Sequence, residues 1–331
     1  MKRPCSCEQE TCSLCNLFYT SQKHWRNWGG QGSFPPSRPD PETKPTPPGE
    51  ASWVDLYSHV GRIDPPSFPA LKIKPRKSTA VVTLVAGDHG RRMAATTRPI
   101  LAKYANRIGA DFHAVEIDAP YPLGGKFRVR DYLAFYDRLL FLDIDIVLSP
   151  TCPSLFDVVP VGSVGIHDDG PYTAQTGWVQ AEWDELATSQ GLPKVEATAC
   201  LNTGVVVCDR EHKDVWSPPT KPYQVRHCSE QHWVNINILR SGFRVKNLKR
   251  IYNWQWWIDR DGKHTDGVQV WHYAGASQML SPAEREGQLV RKAGELYPGL
   301  LKTPSAGTSR RCGCGSRNDM RRALGANKQK N

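Results

Sequence analysis

The chain has 331 residues, of which 39% are hydrophobic, with 26 prolines, 27 glycines and a formal net charge of +10. That length supports one sizeable core or two smaller ones, and no apolar run approaches the roughly 20 residues needed to span a bilayer. The start, "MKRPCSCEQE", has no apolar leader segment, so the expectation is a soluble, cytoplasmic protein without a membrane span.

Residues 1–28 form a Cys-rich, aromatic head. Cys5, Cys7, Cys12 and Cys15 follow a C-x-C-x4-C-x2-C spacing, which reads either as a candidate structural zinc site or as reduced, unliganded thiols. Residues 29–76 begin with "GGQGSFPPSRPDPETKPTPPGE", which carries seven prolines and reads as an extended linker. A catalytic domain is expected over 77–285. A C-terminal extension then runs from 286 to 331, where Ser309 onward carries seven basic residues against one aspartate and two further cysteines. That charge invites a nucleic-acid reading, but a solvated basic tail is the preferred one, with nucleic acid as the alternative. Cys152, Cys200, Cys208 and Cys228 are scattered, and small buried side chains are the default for them.

Within the central region, "STAVVTLVAGD" is a β-branched run that suits a buried strand feeding a turn at Gly87 and Asp88. Helical spacing follows through Met93, Ile100, Leu101, Tyr104 and Ile108, with a stop near Gly109. "FHAVEID" reads as a strand and "KFRVRDYLAFYD" as a helix leading into the strand "RLLFLDIDIVL". Later come the strand-like "SVGIHDD" and "NTGVVVCD", a helical "EQHWVNINILRSG", and "GVQVWHYAG". Alternating strands and helices imply an α/β domain with a mostly parallel central sheet, whose ligands bind at the C-terminal ends of the strands.

Asp143 and Asp145 stand inside the apolar run "FLDIDIVLSP". Two carboxylates in such a setting need a compensating charge. On an extended backbone they would share one face, with Ile144 turned into the packing, and could grip Mg²⁺ or Mn²⁺. A rival pattern is that of haloacid dehalogenase-like phosphatases, in which the first aspartate of such a pair is a nucleophile. That motif ordinarily opens its domain, whereas here strand–helix–strand–helix segments precede it.

Reading outward from the pair, the chain resembles glycosyltransferase family 8, retaining enzymes of the GT-A (Rossmann-like) fold. "YDRLLFLDIDIVL", "CLNTGVVVCD", "SEQHWVN" and "VWHYAGASQ" look like that family's motifs in order, over roughly 78–280. The resemblance implies a metal held by Asp143, Asp145 and His272. It implies a nucleotide-sugar donor, with a UDP-sugar first in line, contacted by Ala86, Gly87, Asp88, Lys126, Ile144, Asn202, Gly204 and Gly275. It puts Glu230 and Gln231 beside the reacting carbon. The chain departs from the pattern at Glu230, at His232 and after Gly275, where the closing "KPW" is missing, which leaves the donor sugar open. The acceptor, whether glycan, protein or small molecule, is unspecified. The tryptophans of "IYNWQWW", Trp254, Trp256 and Trp257, suit either sugar stacking or core packing. A phosphatase, or a nucleic-acid-binding protein on a transferase scaffold, are the alternative functions.

Overall fold

The structure is a computed structural model and describes residues 62–117, 122–170, 178–224, 228–256, 265–274 and 281–300. The cysteine head, the basic tail, Trp257 and Gly275 lie outside the described residues. In chain order the elements are β1 (Arg62–Ile63), β2 (Thr79–Ala86), α1 (Gly87–Arg107), β3 (Asp111–Ile117), a 3₁₀ segment over Pro122–Arg128, α2 (Val129–Tyr132), β4 (Arg138–Leu142), β5 (Ile146–Leu148), α3 (Leu155–Val158), β6 (Ser163–Asp168), α4 (Trp178–Gln190), β7 (Leu201–Asp209), β8 (Tyr223–Gln224), α5 (Ser229–Ser241), β9 (Arg244–Asn247), β10 (Trp254–Gln255), β11 (Val270–His272) and α6 (Pro282–Leu296).

Six strands form the central sheet in the order β3-β2-β4-β7-β6-β9. Five run in one direction and β7 opposes its neighbours β4 and β6. This is the mostly parallel α/β sheet that the alternating pattern predicts. The period-2 alternation of β-strands divides the sheet's side chains between two cores. In β2, Val81 and Val85 face one core while Ala80, Val82 and Leu84 face the other; in β4, Leu140 and Leu142 oppose Leu139 and Phe141. The first core lies under α1 and α6, the second under α4 and α5.

Three elements differ from the sequence expectation. The stretch Arg138–Leu148 is not one strand: β4 ends at Leu142, β5 begins at Ile146, and Asp143–Asp145 form the turn between them. The reason is topological, because β5 leaves the central sheet to pair antiparallel with β11 in a second sheet of order β10-β11-β5. The expected long helix over 126–137 is a 3₁₀ segment followed by the single turn α2. Finally, ordered packing extends past both expected borders of the catalytic region. Ile63, Phe68, Leu71 and Ile73 pack on the second core. At the other end α6 crosses residue 285 and sends Leu289 and Ala293 into the first. Ser281 caps α6, its hydroxyl accepting from the Glu284 N–H while the Glu284 carboxylate returns to the Ser281 N–H.

No helix among the described residues is long and apolar enough to cross a membrane. Cys152, Cys200 and Cys208 are buried, and burial pushes the Cys152 and Cys208 thiols up to about 12, so they pack as apolar groups.

Candidate active site

Strands β2, β4 and β6 are parallel, so their C-terminal ends share one edge of the sheet, where they meet the beginning of the antiparallel β7. Along that edge β7 departs from its ladder with β6: Ile166 is opposite Val206, but His167 is opposite Asn202. Thr203, Gly204 and Val205 are the excess residues of this bulge, a device that re-aims backbone groups next to functional sites. The Gly204 carbonyl accepts a hydrogen bond from the Asp143 N–H at 2.8 Å, and the Asp145 carbonyl accepts one from the Tyr273 N–H at 2.9 Å. The turn carrying both aspartates is thereby pinned to the central sheet on one side and to the small sheet on the other.

His272 is the cross-strand partner of Ile146, which brings its ring to the aspartates. Its Nε2 lies 3.3 Å from Asp145 Oδ1 and 3.7 Å from Asp143 Oδ2. Among the described residues these three side chains are the one group whose ligand atoms converge within 4.8 Å. Gly204 makes the approach possible: a Cβ there would sit 2.1 Å from His272 Cε1. The family resemblance gives Gly204 as a donor contact; the room it leaves is for the imidazole.

The fourth member is Lys126, which is buried. Its Nζ lies 3.1 Å from Asp143 Oδ1 and 3.5 Å from Glu230 Oε1, and it donates to Thr203 Oγ1 at 3.2 Å. Burial works against the ammonium, but Asp143 and Glu230 outweigh it and hold Lys126 charged well above the usual lysine range. Burial raises Asp143, with Lys126 opposing, whereas for Asp145 the His272 ring and Arg285 overcome burial and hold the carboxyl down to about 2. His272 is in turn raised, because Asp145 and Asp143 outweigh its desolvation.

The structure therefore brings Asp143, Asp145, Lys126, Gly204, Glu230 and His272 together. Gln231 joins them through its Oε1, which accepts from the Thr203 N–H of the bulge. Ile144, between the aspartates, is buried in the first core. Ala86, Gly87 and Asp88 stand at the C-terminal end of β2, where Gly87, at φ +60°, lets α1 start directly from the strand. Asp88 is exposed and paired with Arg91. One residue further, His89 contacts Arg285 at 2.9 Å, and the Arg285 charge is felt at Asp145. His232, the departure from the family pattern, points away from the site and meets Glu182 of α4 at 2.7 Å.

No protein-family model matches the chain, and no curated protein matches it. Among solved structures it is similar in fold to a glycosyltransferase involved in the glycosylation of the major capsid of PBCV-1, with 14% identity over 64% of this chain and 98% of that one and a TM-score of 0.43. It is similar also to the galactosyltransferase LgtC in complex with donor and acceptor sugar analogs, with 16% identity over 66% and 96% and a TM-score of 0.39. The bifunctional glycosyltransferase WbbM is a third, with 12% identity over 69% and 52% and a TM-score of 0.40.

Sequence reasoning missed four polar residues behind the site: Asn253, Gln255, Asp169 and Arg285, all buried. Asn253 and Gln255 alternate with Trp254 and Trp256. Both tryptophans are core residues, with Trp254 set edge-on against Trp271 at 4.8 Å and Trp256 donating to the Ala274 carbonyl. The alternation in "NWQW" was the available signal, since it places both amides on one side of a short strand.

Proposed function

We propose that the protein is a metal-dependent glycosyltransferase that moves a hexose from a nucleotide-diphosphate sugar, with a UDP-sugar as first candidate, to an acceptor. The observation that carries the reading is the convergence of Asp143, Asp145 and His272 beside the buried Lys126 at the C-terminal edge of a mostly parallel sheet. Of the four motifs that resemble family 8, two supply Asp143, Asp145 and His272 and two supply Asn202, Gly204, Glu230 and Gln231.

The donor set fits a divalent cation. Two carboxylates and an imidazole are the oxygen and nitrogen ligands that Mg²⁺ or Mn²⁺ accepts. Asp145 Oδ1 is buried with His272 Nε2 3.3 Å away, so two ligand atoms face each other across the space an ion would take. When bound, the cation supplies a positive centre that stabilises negative charge building on a leaving diphosphate.

The chain's own residues do the rest. Lys126, fixed in its charged form, adds a second positive group toward the same developing charge. Glu230 is tethered to Lys126 and Gln231 to the bulge, so carboxylate and amide oxygens stand ready for the positive charge at an anomeric carbon. Retention of configuration follows the family resemblance. His272 completes the anchoring of the aspartate turn.

The test is calorimetric titration of UDP, with and without Mn²⁺, into the protein and into Asp143→Asn/Asp145→Asn, followed by donor hydrolysis assays on UDP-sugars. Metal-dependent binding that the double variant loses supports the reading. If UDP, GDP and CDP all fail to bind with metal present, the reading is wrong.

A further inference from the structure

Behind the metal-ligating ring runs a chain of buried amides whose direction is set by one backbone N–H. The Gly204 N–H donates to Asn202 Oδ1 at 2.9 Å. A backbone amide can only donate, so that atom of Asn202 is the oxygen. Asn253 faces the same oxygen at 3.1 Å, so the atom it presents is Nδ2. Its other atom, Oδ1, then faces His272 Nδ1 at 2.7 Å. An oxygen there requires the proton on Nδ1, and in the neutral ring this leaves the lone pair on Nε2, the nitrogen that looks at Asp143 and Asp145.

The far end of the chain is equally fixed. Asn202 Nδ2 donates to Asp169 Oδ2 at 3.0 Å and to Gln255 Oε1 at 3.4 Å, and Gln255 Nε2 donates to both Asp169 oxygens. With two acceptor and two donor contacts, all four positions of the Asn202 amide are used inside the protein. None is left over for a sugar.

We infer that Asn253 is a positioning residue for the metal site: held by Asn202 and the Gly204 N–H, it selects the His272 tautomer that presents Nε2 to a cation. Asn202 acts as the second link of this relay and not as a wall of the sugar pocket. The inference rests on the metal-dependent reading of the site, though not on which group is transferred. Outer partners of ligating histidines typically affect metal affinity by about tenfold to a hundredfold.

Two measurements on the full chain test it. Mn²⁺ titrated calorimetrically without nucleotide, at a temperature where the metal-free variant is folded, should bind Asn253→Ala at least about tenfold more weakly than the parent protein. Separately, long-range ¹H–¹⁵N spectra of ¹⁵N-histidine-labelled protein, recorded at a pH where the metal-free ring is neutral and with His272 assigned by its loss in His272→Gln, should report the proton on Nδ1.

An Nε2–H tautomer, or Mn²⁺ affinity within twofold of the parent in folded Asn253→Ala, overturns the proposal. If Asn253→Ala does not fold, the tautomer spectrum of the parent protein decides alone. Absence of Mn²⁺ binding to the parent would remove the metal site and this proposal together. Loss of UDP-sugar turnover with Mn²⁺ binding intact would remove only the transferase reading.

Discussion

Replacing Gly204 with alanine probes the closest contact in the site. The added Cβ would lie 2.1 Å from His272 Cε1, 2.7 Å from Nε2 and 2.8 Å from Nδ1, where ordinary contact begins at 3.4 Å. Either ring or backbone must retreat by about 1.3 Å, several times the roughly 0.2 Å tolerance of a metal–ligand distance. The backbone cannot yield easily, because Gly204 N–H is held by Asn202 and its carbonyl by Asp143. The ring must therefore move and break its bond to Asn253. Overpacking of this kind costs about 1–3 kcal/mol of stability, and Mn²⁺ affinity should fall at least about a hundredfold, since a ligand and its outer partner are lost together. Chemical denaturation reads the first effect and calorimetry the second. As a control, Gly242→Ala strains the left-handed residue that ends α5, at φ +66° with open space around it. It should cost about 1 kcal/mol and leave metal binding alone. A folded Gly204→Ala protein that binds Mn²⁺ within threefold of the parent would refute the steric reasoning.

Lys126→Met leaves Asp143 and Glu230 buried without their shared cation, and denaturant unfolding should show a loss of about 3–5 kcal/mol that saturating Mn²⁺ partly restores; a loss below about 1 kcal/mol would contradict the ion pairing. Burial, reinforced by Arg285 and Arg92, lowers His89 to about 4. The folded state therefore binds its proton less readily than the unfolded chain. Stability is fully present above the unfolded value near pH 6.5 and falls as pH drops from there toward 4, by on the order of 3 kcal/mol. His89→Gln should flatten that part of the curve. A chain ending after residue 285 removes Leu289, Ala293 and Tyr297 from the first core and should lose its cooperative melt. One ending after residue 300 should keep it.

Much of this architecture could be read from composition and periodicity. β2, β3, β6 and β7 are β-branched or alternating runs of ordinary length, and Gly109 and Gly242 mark helix ends where the backbone turns left-handed. Of the candidate metal trio, the two carboxylates in an apolar run ask for a compensating charge by themselves, whereas His272 in "VWHYAG" enters only through the resemblance to family 8. The path of the chain through the aspartates was not visible. A strand that continues and a strand that changes sheets have the same apolar pattern, and only the pairing of β5 with β11, far along the sequence, separates them. The amide relay was hidden for a related reason: Asn202, Asn253 and Gln255 are polar residues that sequence logic sends to the surface or to a ligand, and here they satisfy one another.

The aspartate turn straddles two sheets, and this bears on how the molecule assembles. Its carboxylates come from a segment that pairs early in the chain, whereas His272 and Asn253 arrive more than a hundred residues later with the small sheet. Closing so long a loop is slow relative to local pairing, so the central sheet can form while the cation pocket is still open. An ion that binds only the closed arrangement acts as a late clasp, adding about 2.7 kcal/mol at a hundred times its dissociation constant. Amide exchange in β5, β10 and β11 should then slow with added Mn²⁺ more than exchange in β2 or β3, so the seam between the sheets would register how much metal is available.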